Sequence, residues 1–186
     1  MNKYEKKISV IISSYNAEKT LPAALDGLEH QDIWKENFEV IIVDDGSTDR
    51  SKQIIEQYKQ KNTFSLQYVY QKNQWVGKAR NCWIQHAKGD ILAFTDADCI
   101  CDQNRLSVIE RAIRKENKSF IWWTTYCNDT VIFPRKMAPV NHMWVTANLA
   151  LNRTKLPDWY MLFNLWFSGM LWDDIDLVLS LQELGI

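Results

Sequence analysis

The stretch 38-FEVIIVDDGSTD-49 decides how the rest of the chain is read. Its first half, 38-FEVIIV-43, is apolar in a nearly continuous run, the pattern of a strand covered on both faces and typical of a parallel sheet. Its second half stops that strand. Gly46 permits a sharp turn, and Ser47, Thr48 or Asp49 can cap a following helix. That is an adequate structural reason for 44-DDGSTD-49. The functional alternative is that an acid at the strand end accepts hydrogen bonds from a nucleoside, either from base N–H or from ribose hydroxyls.

Working outward, the same alternation repeats. Upstream, 8-ISVIIS-13 reads as a buried strand, and 20-TLPAALDGLEHQ-31 as a helix with Leu21, Leu25 and Leu28 at helical spacing, with Thr20 and Pro22 as start signals. Downstream, Ile54, Ile55 and Tyr58 mark one side of a second helix, 66-LQYVY-70 a third strand, and Val76, Ala79, Trp83 and Ala87 the face of another helix. A fourth strand, 91-ILAFT-95, precedes a helix carrying Leu106, Ile109 and Ile113. Strands alternating with helices imply an α/β fold with a mainly parallel sheet and helices on both faces. Ligands of such sheets bind beyond the carboxyl ends of the strands. That rule selects Ser13–Asn16, Asp44–Asp49 and Asp96–Asp98, all expected along one edge. After about residue 117 the pattern loosens, with 119-SFIWWTTY-126, 130-TVIFP-134 and 143-MWVTANLAL-151 as further strands and 173-DDIDLVLSLQELGI-186 as a final helix. No linker divides the chain.

Composition bounds the function. A chain of 186 residues with 46% hydrophobic residues can bury the core of one domain. A net charge of −1 argues against a partner held mainly through phosphate contacts, so no nucleic acid is expected. The four cysteines, Cys82, Cys99, Cys101 and Cys127, form no CxxC pair, and the polar start from Met1 to Lys7 is not a signal peptide. Both observations point to the cytoplasm with free thiols. The apolar run 159-WYMLFNLWFSGMLW-172 is short for a membrane span and is broken by Asn164, Ser168 and Gly169; it fits core or a packed lid.

The motifs have ordinary and chemical readings side by side. The pair 96-DAD-98 ends the fourth strand. It fails as a calcium loop, because Ile100, Cys101 and Ser107 stand where an oxygen ligand, glycine and glutamate are needed. A plain turn remains, as does a site for Mg²⁺ or Mn²⁺, which take hard oxygen ligands from one or two carboxylates plus substrate phosphates. Tyr15 covers the core or stacks on a base. Lys78 and Arg80 open a helix, where cations are unfavourable; a bound diphosphate or a surface carboxylate would compensate. Asp173, Asp174 and Asp176 begin the last helix, where acids suit the helix dipole. The first turn, 13-SSYNAEKT-20, has no glycine, which excludes a GxGxxG cradle and a P-loop.

In order along the chain, 9-SVIISSYNAEKTLPAALDGL-28, 39-EVIIVDDGSTDRS-51, 77-GKARNCWIQHAKGDILAFTDADC-99, 147-ANLALNR-153 and 172-WDDIDLVLSLQELG-185 resemble the family 2 glycosyltransferases of the GT-A fold. Each element alone is weak, and the ordered set is specific. The resemblance implies a GT-A (Rossmann-like) mixed, mainly parallel sheet. It also implies one catalytic domain over residues 1–186, with a nucleotide-binding part to about residue 100 and an acceptor part beyond.

The activity the resemblance implies is a metal-dependent, inverting transfer of a sugar, of hexosyltransferase type, from a nucleotide-diphosphate sugar to a hydroxyl. The donor most frequent in the family is a UDP-sugar. By position, Ser13, Tyr15 and Asp45 would bind the nucleoside, Lys78 and Arg80 would approach the nucleotide, and Asp98 would bind Mn²⁺ or Mg²⁺. Asp96 would lie near the ribose or the metal. Asp174 would be the general base, with Asp173 beside it in place of the usual Glu. The acceptor part is expected to be incomplete, because relatives continue past the last motif. A glycan or lipid-linked acceptor and peripheral association with the inner face of the membrane are compatible with the aromatic run. A nucleotidyltransferase of similar fold and a catalytically silent nucleotide-sugar-binding module are the alternatives.

Overall fold

A computed structural model describes residues 6–72, 84, 86–122, 126–127, 130–131 and 149–156. Their elements are β1 (Lys6–Ser14), α1 (Leu21–Glu29), β2 (Phe38–Asp44), α2 (Ser51–Lys61), β3 (Ser65–Tyr70), β4 (Gly89–Asp96), α3 (Arg105–Arg114), β5 (Phe120–Trp122), β6 (Tyr126–Cys127), β7 (Thr130–Val131) and β8 (Leu149–Asn152). The main sheet has the order β3-β2-β1-β4-β8-β5. β1 runs parallel to β2 and β4, and β2 parallel to β3. β8 runs antiparallel to both β4 and β5, which makes the sheet mixed as expected. β6 and β7 form a separate antiparallel pair.

Alternation along each strand decides which layer a side chain joins. Ile8, Val10 and Ile12 of β1, Phe38, Val40 and Ile42 of β2, and Ile91 and Ala93 of β4 all face one side. There they meet Leu21, Leu25 and Leu28 of α1, Ile55 and Tyr58 of α2, and Leu106, Ile109 and Ile113 of α3. Ile11, Ile41, Val43, Leu92 and Phe94 face the other side with Leu149, Leu151 and Ala87, against which Ile84 packs. Ile84 and His86 are helical, so helical residues occur on both faces of the sheet. Ala87, expected on the face of that helix, lies just past its end and is buried in the second cluster. Burying each Ile or Leu contributes about 1.5–3 kcal/mol, which makes these two layers the main source of stability.

A fully buried acid lies inside the sheet. Glu39 is fully buried, and its carboxylate accepts from Ser9 Oγ (2.6 Å), Gln67 Nε2 (2.9 Å) and the Lys88 N–H (2.6 Å). Buried carboxylates are tolerated when hydrogen-bonded in this way. The network ties β1, β2, β3 and the start of β4 together at the end of the sheet remote from the strand tips. At the same place Gly89 approaches β1 so closely that its N–H donates to Ser9 Oγ at 2.8 Å.

The helix starts differ in detail from the sequence expectation. Thr20 occupies the N-cap of α1 without a side-chain cap bond, and a proline lies in the first turn. α2 begins at Ser51 with Arg50, none of the three candidates, at its N-cap and no side-chain cap bond; Asp49, one residue earlier, accepts the Ser51 N–H at Oδ1 (2.9 Å). Among the described residues no helix is long and apolar enough to cross a membrane. The run 159–172 and the final helix 173–186 lie outside the described residues.

Candidate functional site

The site follows from strand register. Ser13 pairs with Asp96 across β1 and β4, Ser14 with Asp44 across β1 and β2, and Asp44 with Tyr70 across β2 and β3. The four parallel strands therefore end level. From β1 the chain steps outward through β2 and β3, then returns to place β4 on the other side of β1. That reversal is the topological switch point at which open α/β sheets bind ligands. Backbone bonds extend the ladder one residue past the strand tips: the Ala97 N–H donates to Ser13 O (3.1 Å), Asp45 N–H to Ser14 O (2.9 Å) and Gln71 N–H to Asp44 O (2.9 Å). Ser13, Tyr15, Asp45, Asp96 and Asp98, separated by up to 85 positions, thus lie along one sheet edge.

Within 44-DDGSTD-49 the two acids have different fates. Asp44 is buried, and its carboxylate is taken up inside the turn by the Ser47 N–H (2.8 Å) and by Tyr68 Oη–H (2.7 Å). Burial and the bond to Asp44 push the Tyr68 phenol well above its ordinary value. Asp45 is half-buried, and its Oδ1 accepts from Gln71 Nε2 at 2.6 Å. Gly46 takes φ 89°, the left-handed conformation that a sharp turn demands and that glycine adopts freely. Tyr68 and Gln71 were not foreseen as partners of the two acids; the signal available for Tyr68 was strand alternation, which puts it, opposite Ile42, on the same face of the sheet as Asp44.

Tyr15 is 58% exposed, so its ring does not serve the core and is available to a ligand. It sits between loops that are tied to each other. Asn16 takes the left-handed conformation (φ 48°), donates its N–H to Ser47 Oγ (2.8 Å) and accepts the Thr48 N–H at Oδ1 (2.9 Å). The Ala17 N–H donates to Ser51 Oγ (3.0 Å) and the Glu18 N–H to Asp49 Oδ2 (2.9 Å). Glu18 returns the contact by accepting from the Arg50 N–H (3.1 Å) and Nε (3.2 Å). Those bonds hold Glu18 below the usual carboxylate range. For Asp49, burial alone would push the carboxyl up, but donation from Ser51 and Glu18 holds it below that range.

At the other tip, Asp96 is half-buried and Asp98 exposed, while Ala97 between them is buried in the helix-side core. The middle residue is thus an anchor that leaves the acids on either side of it outside the core. Asp96, Asp98 and Cys99 bring ligand atoms within 4.8 Å of one another. Burial, then the Asp96 and Asp98 charges, push the Cys99 thiol up to about 12, so at neutral pH it is an S–H that donates to Asp98 Oδ1 (3.6 Å). The two carboxylates of this group are hard oxygen ligands that fit Mg²⁺ or Mn²⁺. Beneath this loop Arg105, from the first turn of α3, donates to Phe94 O (2.8 Å), Thr95 Oγ1 (3.1 Å) and Cys101 Sγ (2.7 Å). It clamps the strand before the acid pair to the loop after it. Lys78, Arg80, Asp173 and Asp174 lie outside the described residues.

Known proteins share this fold. Over 92 residues the chain is 39% identical to the poly(ribitol-phosphate) beta-N-acetylglucosaminyltransferase TarS of Staphylococcus aureus, covering 50% of this chain and 16% of that protein. It is 40% identical over 94 residues to a poly(ribitol-phosphate) beta-glucosyltransferase of Bacillus spizizenii, covering 50% of this chain and 15% of that protein. The crystal structure of S. aureus TarS 1-349 in complex with UDP superimposes with a TM-score of 0.76 at 26% identity, covering 92% of this chain and 54% of that one. The corresponding UDP-GlcNAc complex gives 0.75 at 26% identity, covering 92% and 52%. The chain therefore spans between about a sixth and about half of the length of these four chains. The family model for glycosyl transferase family 2 matches residues 9–167, most of the chain, and the expected mixed, mainly parallel GT-A sheet is the one observed: the chain belongs to glycosyl transferase family 2.

Proposed function

We propose that this chain carries the donor-binding site of a glycosyltransferase that moves a sugar from a UDP-sugar to a hydroxyl acceptor, with inversion at the anomeric carbon and with a divalent metal. The observation that carries the reading is the level termination of β1, β2 and β4, which sets Ser13, Asp45 and the Asp96–Asp98 pair along one edge at the switch point. The TarS structures with UDP and with UDP-GlcNAc support the choice of nucleotide.

In this reading Asp45 accepts the N–H of the base, Tyr15 covers the base with its exposed ring, and Ser13 and Asp96 serve the ribose end. Lys78 and Arg80 approach the diphosphate as counter-charges. Asp98, with Asp96, would hold Mn²⁺ or Mg²⁺, which when bound would compensate the negative charge that develops on the leaving diphosphate. Asp174 takes the proton from the acceptor hydroxyl as that oxygen attacks, with Asp173 beside it. Base catalysis of this kind is worth ~10²–10⁴-fold in rate. The acceptor oxygen forms its bond to the anomeric carbon while the bond to the diphosphate breaks, through an oxocarbenium-like state. One displacement inverts the configuration. The acceptor class in this reading is a hydroxyl of a poly(ribitol-phosphate) chain, the polymer named for two of the relatives, and the reaction is assigned to the cytoplasmic side at the membrane face.

The test is calorimetric titration with UDP in the presence and absence of Mn²⁺, followed by a UDP-release assay over a panel of UDP-sugars. Mn²⁺-dependent UDP binding with release from one sugar supports the reading. Tight binding of CTP or ATP in place of UDP would replace it with a nucleotidyltransferase. Binding with no release from any donor would leave a binding module.

A further inference from the structure

β3 ends in two side chains that each engage one of the neighbouring acids. Tyr68 donates to Asp44, which is buried within its turn; Gln71 donates to Asp45, which is not. The Gln71 backbone is itself fixed, because its N–H donates to Asp44 O at 2.9 Å directly after Tyr70 pairs with Asp44. An ionised carboxylate only accepts hydrogen bonds, so the amide must present its nitrogen to Asp45 and its orientation is determined. A short bond to one oxygen restricts the rotation of the carboxylate.

We propose that Gln71 is a positioning residue for nucleobase recognition: it aims the Asp45 carboxylate at the N–H of a pyrimidine base, and it does so as a neutral donor. The inference rests on the donor-site reading above and deepens it. The donor is an amide, which engages the carboxylate without itself neutralising it. Because Gln71 acts through Asp45, its effect belongs to the base and not to the diphosphate, which lies toward Asp96 and Asp98 in this reading.

Gln71→Met keeps the length of the side chain and removes the donor. It is expected to weaken UDP binding about tenfold, the scale of one charge-assisted hydrogen bond, while binding of inorganic pyrophosphate with Mn²⁺ stays within twofold. In an Asp45→Asn background the same change should cost less than twofold, because the carboxylate it aims is gone. Gln71→Asn, an amide one carbon shorter, gives an independent reading should the methionine variant fail to fold. Equal losses for UDP and pyrophosphate, full additivity with Asp45→Asn, or unchanged UDP binding would each overturn the inference while the donor-site reading stands. A parent protein that binds pyrophosphate but not UDP would overturn that reading and the inference with it.

Discussion

Gly89→Ala tests whether the contact between β1 and β4 is as close as the register requires. A Cβ built on Gly89 would lie 2.5 Å from the Ser9 nitrogen, 2.7 Å from the Ile8 carbonyl carbon and 2.8 Å from Ser9 Oγ. Two of these atoms are backbone, so relief requires the strands to separate. Overpacking of this kind costs about 1–3 kcal/mol. Separation also strains the Gly89 N–H bond to Ser9 Oγ and the Ser9 bond to the buried Glu39, each worth about 1 kcal/mol net. Reduced backbone freedom in the unfolded chain returns about 0.4–1 kcal/mol. The balance is a loss of about 2–4 kcal/mol, which for a chain of this size lowers Tm by about 4–16 °C. Thermal melting by circular dichroism, with urea unfolding alongside, reads it directly. A variant that melts within 2 °C of the parent would refute the close approach and the register built on it.

Three further outcomes follow from the site. Asp98→Asn should abolish the enhancement of UDP binding by Mn²⁺ while leaving Tm unchanged, since Asp98 is exposed; retained Mn²⁺ dependence would remove Asp98 from the metal site. Glu18 and Asp49 are held below their ordinary range, so their contribution is fully present above the unfolded-state values and is lost as pH falls through the folded ones. Acidification should therefore release the amides of Glu18 and Arg50 in hydrogen exchange corrected for intrinsic rate, and unchanged protection down to pH 3 would contradict this. Cys99, with its thiol pushed up to about 12, should alkylate far more slowly at neutral pH than an ordinary thiol and accelerate steadily up to pH 10; a rate that levels off near pH 8.5 in peptide mass spectrometry would show the thiol to be unperturbed.

The central strands were legible because their apolar runs have no polar face: 8-ISVIIS-13, 38-FEVIIV-43 and 91-ILAFT-95 each lie inside an observed strand. The edge location of the site was legible for the same reason, since a strand must stop where its acids begin. What stayed hidden was pairing at long range. Nothing local to Leu149–Asn152 indicates that β8 inserts between β4 and β5 and runs against both. Asp49 reads as a helix cap, and it does accept the Ser51 N–H, but its second oxygen holds Glu18, 31 positions away. Gln71 looked like any residue after a strand, because its partner Asp45 is 26 positions upstream.

The cross-bonding of residues 16–18 to residues 47–51 has a thermodynamic consequence. Freedom that two independent surface loops would forfeit on gripping a nucleoside has already been surrendered during folding. In the proposed donor site this loop pair would act as the fixed jaw of a vice, ready-shaped before its cargo arrives, and selectivity for the base would come without an entropic toll at these loops.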